Sequence, residues 1–355
     1  MKLNDYFRHF LSNIEPPPKR VTAASKAHTE VREHLEGDEE FKKLVVDAFL
    51  AGSYARDTAY EPIQDVDVVV VVKWDKEPAA LLTKLKAALE RGKKYKANTS
   101  PQRRSVRVDL PDISMDIVPA KESTGLAPLR VPDREQKEWV DTNPKGHSEW
   151  VTKQNKATKQ SDTDQGRVVP LAKMLKYWKD HHLPDAKHPK GFWVECLVGW
   201  NHDANARDWA DVFIGALEKI VTKYAPYETN GLVPNLTDPG LTHKTLATGM
   251  EATDFQAFFK QLKRSLADAK KARDDNTSVT ESARLWQVVF GKKFPSKEQR
   301  EAQAKLDEAA AARAATTGVG ASLGARSGRN ITESEPFGAV GVADADAHAG
   351  AARRR

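Results

Sequence analysis

One cysteine, Cys196, stands in 355 residues, so the chain makes no internal disulfide and builds no Cys-rich metal cluster. Metal chemistry, where there is any, has to use oxygen or imidazole ligands. No apolar run approaches the roughly 20 residues that span a bilayer. The stretch from Met1 to Phe10 alternates charge with aromatics where a signal peptide carries an apolar core. A cytoplasmic protein with no membrane partner is the expectation. There is no internal repeat, and residues 316–355 are almost devoid of large apolar side chains, too poor in them to offset the entropy of ordering. Residues 299–355 read as an Ala/Gly-rich tail that is largely disordered.

What is present suits a soluble globular protein: 39% apolar and 30% charged residues, enough for a core in one large domain or two intimate ones. The net charge of +6 suits a polyanionic partner such as a nucleotide or nucleic acid. The 56 basic residues are interspersed with 50 acidic ones, so the charge alone does not define a nucleic-acid face.

Along the chain, Val21, Ala24, Ala27, Val31 and Leu35 recur at helical spacing, and a Gly37-Asp38 break precedes a second short helical stretch near Glu40. An apolar piece, Ala48 to Ala51, leads into a Gly52-Ser53 turn. Val66 to Val72 is an almost unbroken valine run that reads as a central strand buried on both faces. Leu82, Leu85 and Leu89 mark a helix. Val106 to Leu110 and Ile113 to Val118 read as two strands joined through Pro111-Asp112, the second ended by Pro119. From Val168 the pattern is helical, with Leu171, Leu175 and Trp178, then Val212, Ala216, Leu217 and Ile220, then Phe255, Phe258, Phe259 and Leu262. The expected fold is α+β: residues 1–150 a mixed sheet with flanking and N-terminal helices, and residues 151–298 a helical bundle forming the other wall of a cleft.

Asp65 and Asp67 stand two apart at the start of the valine strand, so both carboxylates leave from one face. Two adjacent carboxylates repel unless a cation compensates, and hard oxygen ligands at short spacing suit magnesium with substrate phosphates. On its own, Asp-x-Asp is most often a solvated strand end, and a lone Gly-Ser is usually a mere turn. Context changes both. Gly52 permits close approach of a phosphate, and if a helix starts there its free amides and the Ser53 hydroxyl make a triphosphate site. In the segment Ile113 to Val118, Asp116 alternates with apolar residues and faces away from them, placed to join the pair from a neighbouring strand. Asp109 and Asp112 compete for that third place, but one precedes the proline turn and the other lies within it. Three carboxylates and a phosphate-binding turn at one sheet edge make a two-metal arrangement for in-line displacement at phosphorus.

Gly52-Ser53-Tyr54-Ala55-Arg56-Asp57-Thr58, then Asp65-Val66-Asp67 with its β-branched run, then Met115-Asp116-Ile117-Val118-Pro119-Ala120 resemble the polymerase-β-type nucleotidyltransferases. More narrowly, the chain resembles the bacterial relatives of cyclic GMP-AMP synthase and oligoadenylate synthase. Trp139 to Pro144, Leu175 to Trp178, Phe192 to Glu195 and Asn235 to Gly240 match the narrower group, so the likeness spans about Phe49 to Pro239. The resemblance implies a polymerase-β-like core with an oligoadenylate-synthase-like helical bundle. It implies Asp65, Asp67 and Asp116 as catalytic ligands of two Mg2+ ions, replaceable by Mn2+. Gly52 and Ser53 are then triphosphate contacts, with Lys176 a candidate cation for the donor's phosphates and Lys173 a rival. The activity implied is template-independent synthesis of a cyclic di- or trinucleotide from ribonucleoside triphosphates (ATP and GTP, CTP or UTP). One hydroxyl is linked to a second nucleotide's α-phosphate, with a repeat to close the ring, in antiphage defence. A transferase acting on RNA 3′ ends or on a small-molecule or protein hydroxyl is the alternative, since one core serves all of these.

His181, His182, His188 and Cys196 cluster loosely where the animal synthase has a zinc element, but the tight Cys spacing is missing and no zinc is expected. The tail is a candidate handle for a regulatory or conjugating protein. The resembled tails that are conjugated end in a small residue, whereas this one ends in Arg353-Arg354-Arg355.

Overall fold

The computed structural model describes residues 2–62, 65–159, 166–246 and 249–316. In chain order it forms α1 (Asn4–Ile14), α2 (Pro18–Gly37), β1 (Val45–Ala51), the one-turn α3 (Gly52–Ala55), β2 (Val66–Val72), α4 (Pro78–Arg91), β3 (Thr99–Pro101), β4 (Val106–Leu110), β5 (Ile113–Glu122), β6 (Leu129–Asp133) and β7 (Glu138–Thr142). The helices α5 (Pro144–Ala157), α6 (Val168–His182), α7 (Gly191–Asn201), α8 (Trp209–Thr229), α9 (Ala252–Arg273), α10 (Val279–Phe290) and α11 (Lys297–Thr316) follow. A mixed sheet with flanking helices and a helical half thus make an α+β fold.

The sheet runs β1-β2-β5-β4-β3, with β6 and β7 carried on from the far end of β5. Only the β2–β5 pairing in that row is parallel, and the crossover it requires carries α4. Strand alternation sorts the valines. Val66, Val68, Val70 and Val72 join Met115, Ile117, Val106 and Val108 under Ala27, Val31 and Leu35 of α2 and Leu81, Leu85 and Leu89 of α4. Val69 and Val71 turn to the opposite face, with Ala51, Ala120, Leu129 and Val131. Both sides of the valine run are covered, as its unbroken apolar character requires.

Several sequence expectations change. No helix forms near Glu40: the Asp38 carboxylate accepts the Glu40 and Phe41 amides, turning the chain instead. Pro119 does not end β5, which continues to Glu122. Pro119 falls after the last β4 partner, Ile117, and before the first β6 partner, Lys121, so the amide it lacks leaves no gap in either antiparallel ladder. α1 lies in a segment whose charges hide its apolar face. That helix does not pack on the sheet: Phe7, Phe10 and Ile14 are sealed into the core of the helical half. Phe7 meets Trp286 edge-on at 4.7 Å, and Phe10 lies 4.5 Å from Phe290. The boundary near residue 150 falls inside α5. Residues 299–316 of the expected disordered tail belong to α11, while the rest of that tail, with the proposed partner handle, lies outside the described residues.

Removing a buried aromatic leaves a cavity, so Phe10→Ala should cost roughly 3–5 kcal/mol in denaturant unfolding. In hydrogen exchange, protection should fall in α10 and leave β2 and β5 unchanged, because Phe10 supports the helical half.

Candidate active site

The site begins with register. Asp67 pairs with Asp116 across the parallel β2–β5 ladder, and with Ala51 across β1. Because Val66, Val68, Met115 and Ile117 all point into the core beneath α2 and α4, Asp65, Asp67 and Asp116 share the other face. Arg107 is the β4 partner of Asp116 and Asp109 that of Ser114, so both belong to this face too.

Gly52 follows Ala51 directly and turns the chain at φ +66. A Cβ built there would stand 1.7 Å from Asp67 Oδ2. Glycine is therefore demanded twice, by the backbone angle and by the carboxylate against it. α3 follows, and the Ser53 carbonyl accepts the amides of Thr58 (2.9 Å) and Ala59 (3.2 Å), folding the segment back into a compact loop beside Asp67.

The carboxylates are uncomfortable neighbours. Burial, then the charges of Asp65 and Asp116, push the Asp67 carboxyl up to about 6. Asp116 is also raised, by burial and then Asp65, against the pull of Arg107 and a hydrogen bond from Ser105. Asp116 Oδ1 is buried without a hydrogen-bond partner. Such an orphaned acceptor among like charges fits a hard cation bound through oxygen. Among the described residues, no three acidic, His or Cys side chains are already drawn together around one point. Arg107 Nη1 stands 3.7 Å from Asp65 Oδ2 and 3.8 Å from Asp116 Oδ2 instead.

Behind the turn lies a buried charge network that joins the two halves. Arg56 Nε donates to Glu195 Oε2 at 2.8 Å, with the guanidinium 4.7 Å from the Phe192 ring centroid. Lys176 Nζ donates to Glu195 Oε1 at 2.9 Å and to the Thr58 carbonyl at 3.0 Å. Burial alone would raise the Glu195 carboxyl, but Arg56 and Lys176 hold it down at about 2. Two of the three ammonium donors of Lys176 are thus engaged within the protein. Lys173 is likewise occupied, by Glu15 and Asp57.

The structure thus sets Asp65, Asp67 and Asp116 on one sheet face with Gly52 against the Asp67 carboxylate, Ser53 on the turn and Lys176 behind it. Asp109, the rival third carboxylate, accepts from Ser114 at 2.6 Å and from Arg107 at 3.0 Å. Asp112 lies at the hairpin tip, where its carbonyl receives Arg20. Sequence reasoning missed Arg107 and assigned no role to Arg56 or Glu195. A lone acid in the apolar run Phe192 to Trp200 was the available signal for a buried, partnered charge. Of the imidazoles and the thiol, His182 Nε2 lies 2.8 Å from the Val289 carbonyl, His181 stacks on Tyr177 and meets the His182 ring at 4.8 Å, and Cys196 is buried, its thiol pushed up by that burial.

Two predictions follow from this geometry. Gly52→Ala forces the Asp67 carboxylate aside, and displacement of about 1 Å at a reacting centre costs on the order of 10²-fold; kcat should fall by at least that much while circular dichroism keeps the fold. For Asp67, a carboxyl at about 6 against an ordinary 3.8 means that the chelator-treated protein loses stability as pH rises through that window. The loss reaches roughly 3 kcal/mol above it. Asp67→Asn lacks that penalty, so in EDTA it should unfold at higher temperature than wild type at pH 7.5 and at the same temperature near pH 3.5. An equal midpoint at pH 7.5 would contradict the raised carboxyl that burial and the neighbouring acids give Asp67.

The comparisons with known proteins agree with this picture. The Second Messenger Oligonucleotide or Dinucleotide Synthetase domain matches residues 1–155. A cyclic AMP-AMP-AMP synthase of Acinetobacter sp. is 32% identical over 330 residues, 90% of this chain and 93% of that protein. A cyclic AMP-AMP-GMP synthase of Enterobacter hormaechei is 25% identical over 362 residues, 83% of this chain and 92% of that protein. Among solved structures, CdnC of E. coli MS115-1 with ATP superposes at TM-score 0.65 and 17% identity, covering 82% of this chain and 99% of that one.

Proposed function

We propose that this chain, which belongs to the family of second messenger oligonucleotide and dinucleotide synthetases, makes a cyclic trinucleotide containing at least two AMP units from ribonucleoside triphosphates. It is a nucleotidyltransferase and a cyclic oligonucleotide synthase. The observation that carries the reading is the convergence of Asp65, Asp67 and Asp116 on one sheet face, with Gly52 packed against the Asp67 carboxylate. The names of the two curated relatives share the AMP-AMP unit, which supports the choice of adenine.

Asp65, Asp67 and Asp116 would hold Mg2+ or Mn2+. When bound, the metal supplies acidity to an attacking hydroxyl and neutralises charge on the departing pyrophosphate. The rest falls to the chain's own groups. Gly52 lets the turn lie directly against the Asp67 carboxylate, and the Ser53 hydroxyl binds the donor triphosphate. Lys176 serves the phosphates by holding the Thr58 carbonyl and Glu195, which fix the turn from one side while Arg56 fixes it from the other. Synthesis needs no nucleic-acid template, and the product signals in antiphage defence within the cytoplasm.

The test is incubation of the purified protein with Mg2+ or Mn2+ and the four labelled ribonucleoside triphosphates, then phosphatase and chromatography. A phosphatase-resistant product labelled from ATP is expected, and the Asp65→Asn/Asp67→Asn variant should lose it by at least ~10³-fold. A product that contains no adenine would overturn the substrate assignment, and retained turnover in the double variant would overturn the metal assignment.

A further inference from the structure

We propose that Arg107 is a built-in counter-ion of the ion-free site, occupying Asp65 and Asp116 until a divalent ion displaces it and thereby setting the affinity for that ion. The inference rests on the metal assignment to Asp65, Asp67 and Asp116. Its guanidinium reaches both carboxylates, with Nη1 at 3.7 Å from Asp65 and 3.8 Å from Asp116. These distances are longer than charge-assisted hydrogen bonds, which run about 2.7–2.9 Å. The contacts are electrostatic and can be given up without breaking a hydrogen bond. The hydrogen bond Arg107 does make is elsewhere: Nε donates to Asp109 Oδ1 at 3.0 Å, and the same oxygen accepts from Ser114 at 2.6 Å.

This division gives the side chain a fixed and a free end. Asp109 lies on the same strand face, two residues on, and holds the Nε side of the guanidinium whether or not Nη1 stays between the carboxylates. The β4–β5 register sets Arg107 directly beside Asp116, so its fork spans the gap to Asp65 on β2's leading end without leaving its strand. A divalent ion and this guanidinium compete for the same two carboxylates, because each draws on the same negative charge and the two cations repel at close range. Ion binding therefore moves Nη1 away while the Asp109 bond remains.

Manganese alone is the probe. Free Mn2+ is followed by electron paramagnetic resonance during titration of chelator-stripped protein, for wild type, Asp65→Asn/Asp67→Asn, Arg107→Gln and Arg107→Lys. Wild type should bind and the double Asp variant should not. Arg107→Gln should bind about tenfold more tightly than wild type, the size expected when one like charge nearby is removed in a screened medium. Arg107→Lys keeps the charge but not the planar fork, and its affinity should fall between the two. The thermal midpoint of Arg107→Gln should lie below wild type in EDTA, and the difference should close at saturating Mn2+. Unchanged or weaker binding by a folded Arg107→Gln overturns the proposal, since a merely structural arginine loosens the site when removed. If Arg107→Gln does not fold, tighter binding by Arg107→Lys supports the proposal and its absence overturns it. Equal binding by wild type and the double Asp variant defeats the metal assignment itself, and this inference with it.

Discussion

The parallel pairing of β2 with β5 sets Asp67 beside Asp116, and everything around the site answers the repulsion this creates. Adjacent strands stand about 4.8 Å apart, so two carboxylates in register and a third two residues upstream share a small, half-buried volume. A fold selected for stability alone would place valine or threonine there. The carboxyl of Asp67, pushed up to about 6, records what the arrangement costs. Placing the groups on strands, whose backbone is held on both sides by ladder bonds, prevents them from relaxing apart. Gly52 tightens the constraint further, because its missing side chain is what lets the next segment of chain lie against Asp67.

Much of this was legible in the sequence, because it rests on alternation and on residue types with few other uses. The valine run predicts β2 at its observed bounds, Val66–Val72, and Asp-x-Asp at its head places two acids on one face whatever the strand's partner. Hairpin position favours Asp116 over Asp109 as the third carboxylate. The structure places Asp116 in register with Asp67 and gives Asp109 to Arg107 and Ser114. What escaped was long-range. α1 could not be read from Met1 to Phe10, since its three buried side chains, Phe7, Phe10 and Ile14, make sense only against Trp286, Phe290 and Phe294, which lie far along the chain. The continuation of β5 through Pro119 depends on where β4 stops and β6 starts, which no local pattern contains. α11 escaped for a different reason: its alanine-rich sequence has strong helix propensity but buries little, and composition alone reads such a segment as unstructured.

The segments that carry the family likeness outside the carboxylates turn out to be joints. Asn143 caps α5 by accepting the Gly146 amide at 2.9 Å, and its amide nitrogen donates to the Gly240 carbonyl at 2.9 Å. Four residues on, His147 Nε2 lies 2.8 Å from Asp238 Oδ1, which also accepts the Gly240 and Leu241 amides. The Asn-Pro segment that opens α5 and the Thr-Asp-Pro-Gly segment after α8 are thus two sides of one seam. A Cβ at Gly240 would meet the His147 ring at 2.6 Å, so that glycine is a packing requirement of the same seam.

A second seam runs through Glu195, and its chemistry explains why the helical half has to be more than a lid. A fully buried carboxylate is tolerated only when its partners are fixed and its lone pairs are satisfied. Arg56 comes from the loop after the Gly52-Ser53 turn, and Lys176 from α6, whose apolar side chains join the aromatic core with α1. Each partner therefore reports the position of one half to the other, and removing either leaves the buried Glu195 carboxylate with a single counter-charge, a destabilising change. The turn that approaches Asp67 is then held at both ends of its short span. The β1–β2 ladder fixes its start, and the Arg56–Glu195–Lys176 network fixes its finish through the Thr58 carbonyl. The helical half is in this way referenced, by buried electrostatics, to the same short turn that stands beside the Asp67 carboxylate.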